Sequence, residues 1–392
     1  PHRRAPAFLR RRDEPLRARG QPGHAVRPPR TAVRSALGTG LLACAVLACG
    51  SVLAKQAAAP QPAAPVAPSS PPDDISRLAR TPAQLLAYIQ AAAEKQNYQG
   101  VFMYQQGENT QSSRMVHVVD ASGERERVET LDGQPRIYLR HNDQVQYLQP
   151  DRKTVRRDSR HTVRFPGLLQ SDPAQVLNYY KLKVLDKLNR EAGRECRTVL
   201  LEPRDALRYG LRLCVDTQTG LLLKEQTLDS ARRIVEQVSF SSVHVGSDVD
   251  PARVDSSWDT HDWKVLQPSM KPVDMTAQGW RVAMPDGFKT IMEVARQMGP
   301  ASGSAARTVS QMVLSDGVVA ISLFVEPYDA AKHRHPPAGP IHHGAINIYG
   351  KRVAGYWLTA LGEVPVATLE RVANAVQYTA SRPARPAAGA AH

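Results

Sequence analysis

Apolar positions recur along this chain with two different periods, and the change from one to the other marks the first structural boundary. Thr81-Pro82-Ala83-Gln84 combines a capping hydroxyl, a proline at the first helical position and a glutamine three residues after the cap, which is how a helix starts. Leu85, Leu86, Ile89, Ala92 and Ala93 follow at helical spacing, so a helix from Thr81 to about Gln96 should lay one side on a core. From Tyr98 the period falls to two. Segments 100–106, 114–120, 125–131, 135–141, 144–150 and 153–157 alternate, separated by Gly107-Glu108-Asn109, Ala121-Ser122-Gly123, Asp132-Gly133 and Asn142-Asp143. Each separator is a turn signal, and the series predicts an antiparallel meander. Ser171-Asp172-Pro173-Ala174-Gln175 predicts a second helix, from Asp172 to about Leu185, carrying Val176, Leu177, Tyr180 and Val184. A hairpin about Asp205 and two more alternating segments, 221–229 and 235–245, extend the sheet.

The alternation thins over 249–272, which reads as an interdomain linker. A second unit follows, with strand-like segments at 280–284, 288–295, 309–314, 318–326, 345–350 and 353–362. It includes an Asp316-Gly317 turn and ends in a helix from Pro365 through Leu369, Val372, Ala373 and Val376. The predicted class is therefore α+β, mainly antiparallel β: a large curved sheet with two packed helices over 81–248, then a smaller α+β domain over 273–379. Residues 55–80 form an Ala/Pro linker and 380–392 an Ala/Pro tail, both too poor in apolar bulk to fold.

Cys196 and Cys214 lie eighteen positions apart in that hairpin. Folding the segment back about Asp205 makes opposite residues sum to 410, so Cys196 faces Cys214. Val199, Leu201, Tyr209, Leu211 and Leu213 then share one face. Opposite strand residues stand at a separation a disulfide accepts, and a one-residue slip would scatter the apolar set. The alternative is two free buried cysteines, common in reducing compartments.

The N-terminal residues bear on that choice. Arg27, Arg30 and Arg34 precede an apolar run from Ala36 to Leu53 and a Val52-x-Ala54 end, which over 1–54 reads as an export signal cleaved before Lys55. An uncleaved anchor and a lipoprotein through Cys44 or Cys49 are the alternatives. Cleavage would remove Cys44 and Cys49 and leave two cysteines, the number one bridge needs. The charge changes with it. The full chain carries +14, but ten arginines and only two acidic residues precede Lys55, so the remainder carries about +6. Nucleic-acid binding loses its main support.

Short catalytic patterns are absent: there is no His-Glu-x-x-His, no Gly-x-Ser-x-Gly and no Gly-x-Gly-x-x-Gly at a strand-to-helix turn. Around Gly344 to Lys351 the spacing is wrong for a phosphate loop, and Arg352 stands where Ser or Thr is needed. His333, His335, His342 and His343 cluster in a Pro- and Gly-rich loop with Glu326 nearby, a poor frame for a metal, and neither metal nor cofactor is expected. Phe102, Tyr104, Tyr138, Tyr147 and Phe165 sit on alternating strands or beside them. A sheet this large with only two helices leaves its concave side unfilled, which makes these aromatics the candidate lining of an apolar ligand cavity.

Five stretches carry a resemblance: Tyr98-Gln-Gly-Val-Phe102, the segment Pro203 to Asp216, Thr219-Gly-Leu-Leu-Leu223, Leu314-Ser-Asp-Gly317 and Gly362-Glu-Val-Pro365. In this order they resemble the MucB/RseB family of periplasmic sigma-factor regulators, over about 81–378. The resemblance implies an N-terminal half-open β-barrel like that of the lipoprotein carriers LolA and LolB, and a smaller C-terminal domain. It implies a periplasmic, non-enzymatic protein that binds the periplasmic region of a membrane anti-sigma factor (RseA or MucA). Shielding of that region from the first regulatory protease, relief by a lipid or lipopolysaccharide-like signal, and a homo-oligomer are further implications. The main rival is a periplasmic lipid or lipoprotein carrier, which would have no use for 315–326 and 362–376. A secreted hydrolase is the third reading. Cys196→Ser should cost about 3 kcal/mol under oxidising conditions, read from the thermal midpoint, and unchanged stability would remove the bridge from the account.

Overall fold

The computed structural model describes residues 81–158, 165–267, 270–298, 307–333 and 339–380. The predicted export signal, the Ala/Pro linker and nearly all of the tail lie outside the described residues. Helix α1 (Pro82–Lys95) starts as its sequence requires: the Thr81 hydroxyl accepts from the Gln84 N–H and the Gln84 side chain accepts from the Thr81 N–H. Its five predicted apolar positions are all buried.

The meander forms β1 (Tyr98–Gln106), β2 (Asn109–Asp120), β3 (Gly123–Thr130), β4 (Ile137–His141), β5 (Gln144–Gln149) and β6 (Thr154–Asp158). After a single helical turn, α2 (Pro173–Val176), come β7 (Tyr180–Glu191), β8 (Arg194–Pro203), β9 (Gly210–Asp216), β10 (Leu222–Leu228) and β11 (Ile234–Val245). With β12 (Lys264–Leu266) these build one sheet in the order β12-β6-β5-β4-β3-β2-β1-β11-β10-β9-β8-β7. Every neighbouring pair is antiparallel except β12 on β6. Strand β12 and a short 3-10 turn at Pro251–Val254 fall within the predicted linker. That turn sets Val254, with Val249, on Val116 and Val118, so this stretch is part of the sheet's packing.

A seven-stranded sheet follows: β13 (Met270–Pro272), β15 (Lys289–Met298), β16 (Arg307–Ser315), β17 (Ala320–Pro327), β18 (Ile341–His343), β19 (Ile346–Val353) and β20 (Tyr356–Gly362). Its order is β13-β15-β16-β17-β20-β19-β18. The short pair β14 (Trp280–Arg281) and β21 (Gln377–Tyr378) stands beside it, and α3 (Val366–Ala375) buries Leu369, Val372 and Ala373. The described residues are thus mainly antiparallel β with few helices.

Two expectations are corrected. The second helix stops after one turn, and Tyr180 onward is strand. Lys181, Leu182, Lys183 and Val184 alternate with period two, and pairing with β8 from Tyr180↔Pro203 to Val184↔Val199 outweighs the helix start at Asp172. The cysteine hairpin pairs with a sum of 412: Thr198 faces Cys214 and Cys196 faces Asp216. The slip is two residues, so every side chain keeps its face. Cys196 and Cys214 are bonded on a diagonal, Cα atoms 5.4 Å apart. The opposite face puts Val199, Leu201, Leu211 and Leu213 into the main core, while Tyr209 lies before β9 and is only half-buried.

That core runs without a break from α1 through β8 and β9 to β16, β17, β20 and α3. At its centre Arg208 and Asp316 form an ion pair of 2.8 Å between two fully buried side chains. Asp316 also accepts from the Tyr180 hydroxyl at 3.1 Å and from the N–H groups of Val318 and Val319. Arg208 reaches Asp205 and the Asp286 carbonyl and lies over the Tyr179 and Phe288 rings. Gly317, at φ +96°, presses on Ser171 so closely that a β-carbon would collide with it. Asp316→Ala leaves the buried guanidinium only the partly exposed Asp205 as an acidic partner among the described residues and should cost about 3 kcal/mol in urea denaturation. The apolar pair Arg208→Met with Asp316→Leu should cost less than that single change, because it removes both charges together.

Candidate functional site

The concave face of the twelve-stranded sheet is set by register. Glu236↔Thr227, Val238↔Tyr104, Phe240↔Phe102, Phe102↔Ser113, Ser113↔Thr130, Val128↔Tyr138 and Tyr138↔Tyr147 carry one face across six strands, β11-β1-β2-β3-β4-β5, with β10 beside them. Above this face lies a cavity of about 680 Å³, within the range of small-molecule sites. All five aromatics proposed from the sequence, Phe102, Tyr104, Tyr138, Tyr147 and Phe165, line it. They fall into two groups. Phe102 and Phe165 stand 5.8 Å apart between ring centres and both meet Phe240, at 6.3 and 5.0 Å. Tyr138 and Tyr147 pair at 5.3 Å on the neighbouring strands.

The floor beneath the phenylalanines is a second apolar cluster of Tyr98, Met115, Leu221, Leu223, Phe240 and the disulfide itself. Gly220, at φ +76°, makes the turn into this cluster directly against the Tyr88 ring, where a β-carbon would not fit.

Two parts of the site escape a reading of the sequence. The first is the opposite wall: Val318, Val319, Ala320, Ser322, Ile346 and Leu361 come from the seven-stranded side. The second is polar. Glu225 and Glu236 enter from β10 and β11, and Glu363 enters just after β20. Burial pushes the Glu225 carboxyl up to about 8, helped by repulsion from Glu363 and Glu236. Glu363 is raised as well, by burial and then by Glu236. By surface area Glu363 is exposed, but the space it faces is the cavity, ringed by protein, so the raised direction is the physical one. Burial and a hydrogen bond to Glu236 raise the Tyr104 hydroxyl. Period-two alternation places Glu225 and Glu236 on the concave face once the register is known, but nothing local distinguishes them from solvated strand residues.

The histidine loop does not assemble. His333 stacks on Trp357 at 4.7 Å and takes the Asp329 N–H. His342 contacts Asn347 on the adjoining strand, His343 is exposed, and His335 lies outside the described residues. No group of three His, Cys, Asp or Glu among the described residues stands together as metal ligands.

Comparison with known proteins bears on both halves of the chain from residue 81 to 377. A model of the MucB/RseB N-terminal domain matches residues 81–258, and one of the MucB/RseB C-terminal domain matches 274–377. The sigma factor AlgU regulatory protein MucB of Pseudomonas aeruginosa is 28% identical over 298 residues, 74% of this chain and 89% of that protein. The sigma-E factor regulatory protein RseB of Haemophilus influenzae is 24% identical over 303 residues, 75% and 90% of the two chains. A crystal structure of MucB in complex with MucA(peri) superposes with a TM-score of 0.59 at 24% identity, covering 77% of this chain and 100% of that one, a likeness of fold.

The raised Glu225 carboxyl makes stability depend on pH. The folded state holds its proton to about 8 against an ordinary 4.5, so between these values the native state binds more protons than the unfolded state, and stability falls as pH rises. Below 4.5 the penalty is absent. Glu225→Gln should therefore leave the melting temperature unchanged at pH 4.5 and raise it by about 2 °C or more at pH 8. A pH-independent difference would mean that the carboxyl is ordinarily solvated.

Proposed function

Because the chain belongs to the MucB/RseB family, we propose that it is a non-enzymatic periplasmic regulator that binds the periplasmic region of a membrane anti-sigma factor and shields it from regulated proteolysis. A lipid-like molecule entering the cavity relieves the shielding. In this reading the twelve-stranded sheet works as the half-open barrel of a ligand sensor, and the C-terminal domain with its link to the first supplies much of the anti-sigma contact. The Cys196–Cys214 bridge suits an oxidising compartment.

One observation carries the regulatory part: the cavity is lined from both sheets. A molecule inside it touches both domains at once, so its binding energy depends on how they are set against each other. That dependence is what regulation needs, since a ligand moves an equilibrium only by its differential affinity for the two states. Swinging the partner from nearly all bound to nearly all free takes about a 10⁴-fold difference.

The same observation separates this reading from a simple carrier. A carrier needs the sheet alone, and here the second domain completes the pocket. The test uses residues 55–392 and the periplasmic segment of a MucA- or RseA-type anti-sigma factor from the same organism. A stable complex, slower cleavage of that segment by the first protease of the cascade, and loss of both on adding an amphiphile are expected. Failure to bind and to protect would sink the proposal, and binding of amphiphile alone would favour the carrier.

A further inference from the structure

The carboxylates of the cavity are not matched by cations. Glu126, also on the lining, is taken up by Arg140 at 2.9 Å, and the lining's arginine, Arg136, is held by Asp151 at 2.5 Å. Glu225, Glu236 and Glu363 pair with no cation among the described residues. Glu236 accepts from the Ala345 N–H at 3.1 Å and from the Tyr104 hydroxyl. Glu225 is half-buried on the cavity wall, and its carboxyl has no hydrogen-bond partner among the described residues.

Carboxylates held away from bulk water with no cation beside them are costly, and neighbouring ones in one chamber repel each other. Packing alone would favour an apolar residue at any of these positions. The arrangement gains from one kind of occupant, a compact cation that donates hydrogen bonds to several carboxylates together. The rest of the chamber, aromatic and aliphatic, suits a hydrocarbon chain. An anionic head, phosphate or sulfate, would meet like charge there.

We propose that the cavity takes an amphiphile with a protonated amine head, its ammonium set among Glu225, Glu236 and Glu363 and its chain along Phe102, Tyr138 and Tyr147. This deepens the ligand-sensing part of the function proposed above and rests on it. Glu363 belongs to the C-terminal side and the other two acids to the sheet, so the ammonium ties the two walls together. A lipid with anionic phosphates would have to leave them outside this end of the chamber. The overall charge of the chain beyond residue 54, about +6, works against the preference, so attraction to the general surface cannot produce it.

The test compares decylammonium, decyl sulfate and decyl maltoside, each below its micelle concentration, titrated calorimetrically into the protein at pH 7. Decylammonium should bind at least about tenfold more tightly than decyl sulfate. In Glu225→Gln with Glu363→Gln that advantage should fall by about tenfold, while decyl maltoside keeps its affinity within about twofold and so reports an intact cavity. Equal or tighter binding of the sulfate, or an unchanged ammonium preference in the double variant, overturns the head-group assignment and leaves the apolar cavity standing. Binding of none of the three overturns both.

Discussion

The Arg208–Asp316 ion pair is the interaction on which the arrangement of the molecule turns. Both side chains are withdrawn from water, so each depends on its partners there, Asp316 on Arg208 and Arg208 on Asp316 and Asp205. Keeping the pair in place requires the loop after β8, the turn between β16 and β17, the Tyr180 hydroxyl and the Asp286 carbonyl to hold fixed relative positions. Apolar packing around it is extensive but non-directional. The charges specify one seating of the second sheet on the first among many that would bury similar area. Tyr209 extends the constraint: its hydroxyl receives an N–H from Asn347, which also donates to the Val364 carbonyl. Burial and the bonds to Asp316 act on Arg208 in opposite directions, and the bonds prevail, keeping its proton held more firmly than usual.

This seam explains why distant pieces of sequence carry the family likeness. The stretch from Pro203 to Asp216 supplies Arg208 and Tyr209, Leu314 to Gly317 supplies Asp316, and Gly362 to Pro365 supplies Val364. Along the chain they look like unrelated turn residues. In space they meet. A sequence pattern reports neighbours within one element well, because helix and strand periods are local properties. It is silent on partners more than a hundred residues away.

That limit accounts for what was legible. The first helix, the meander and the cysteine pairing follow from capping chemistry, alternation and face parity, all short-range. The hairpin register was off by two, yet parity survived and with it every statement about faces. The second helix failed where a genuine start signal at Asp172 met a stretch whose alternation belongs to a strand. The five aromatics do share one cavity, since a common face of one sheet can be inferred from alternation. Its far wall and its acids could not be, because Val318, Ile346 and Glu363 reach it only through the seam.

The two sides of the chamber differ in how they are held. Beneath Phe102 and Phe240 the floor is tied to a covalent bridge, and the strands that carry it are joined by backbone ladders, with register shifts at Val101/Phe102 and Leu222/Lys224. The opposite wall is seated mainly by side-chain contacts, with a backbone bond from the Gln170 N–H to the Gly317 carbonyl. The width of the chamber therefore depends on how the second sheet is seated on the first. An occupant that fits leaves the seam at rest. One that is too large would press on the contacts around Arg208 and Asp316, where the two sheets meet.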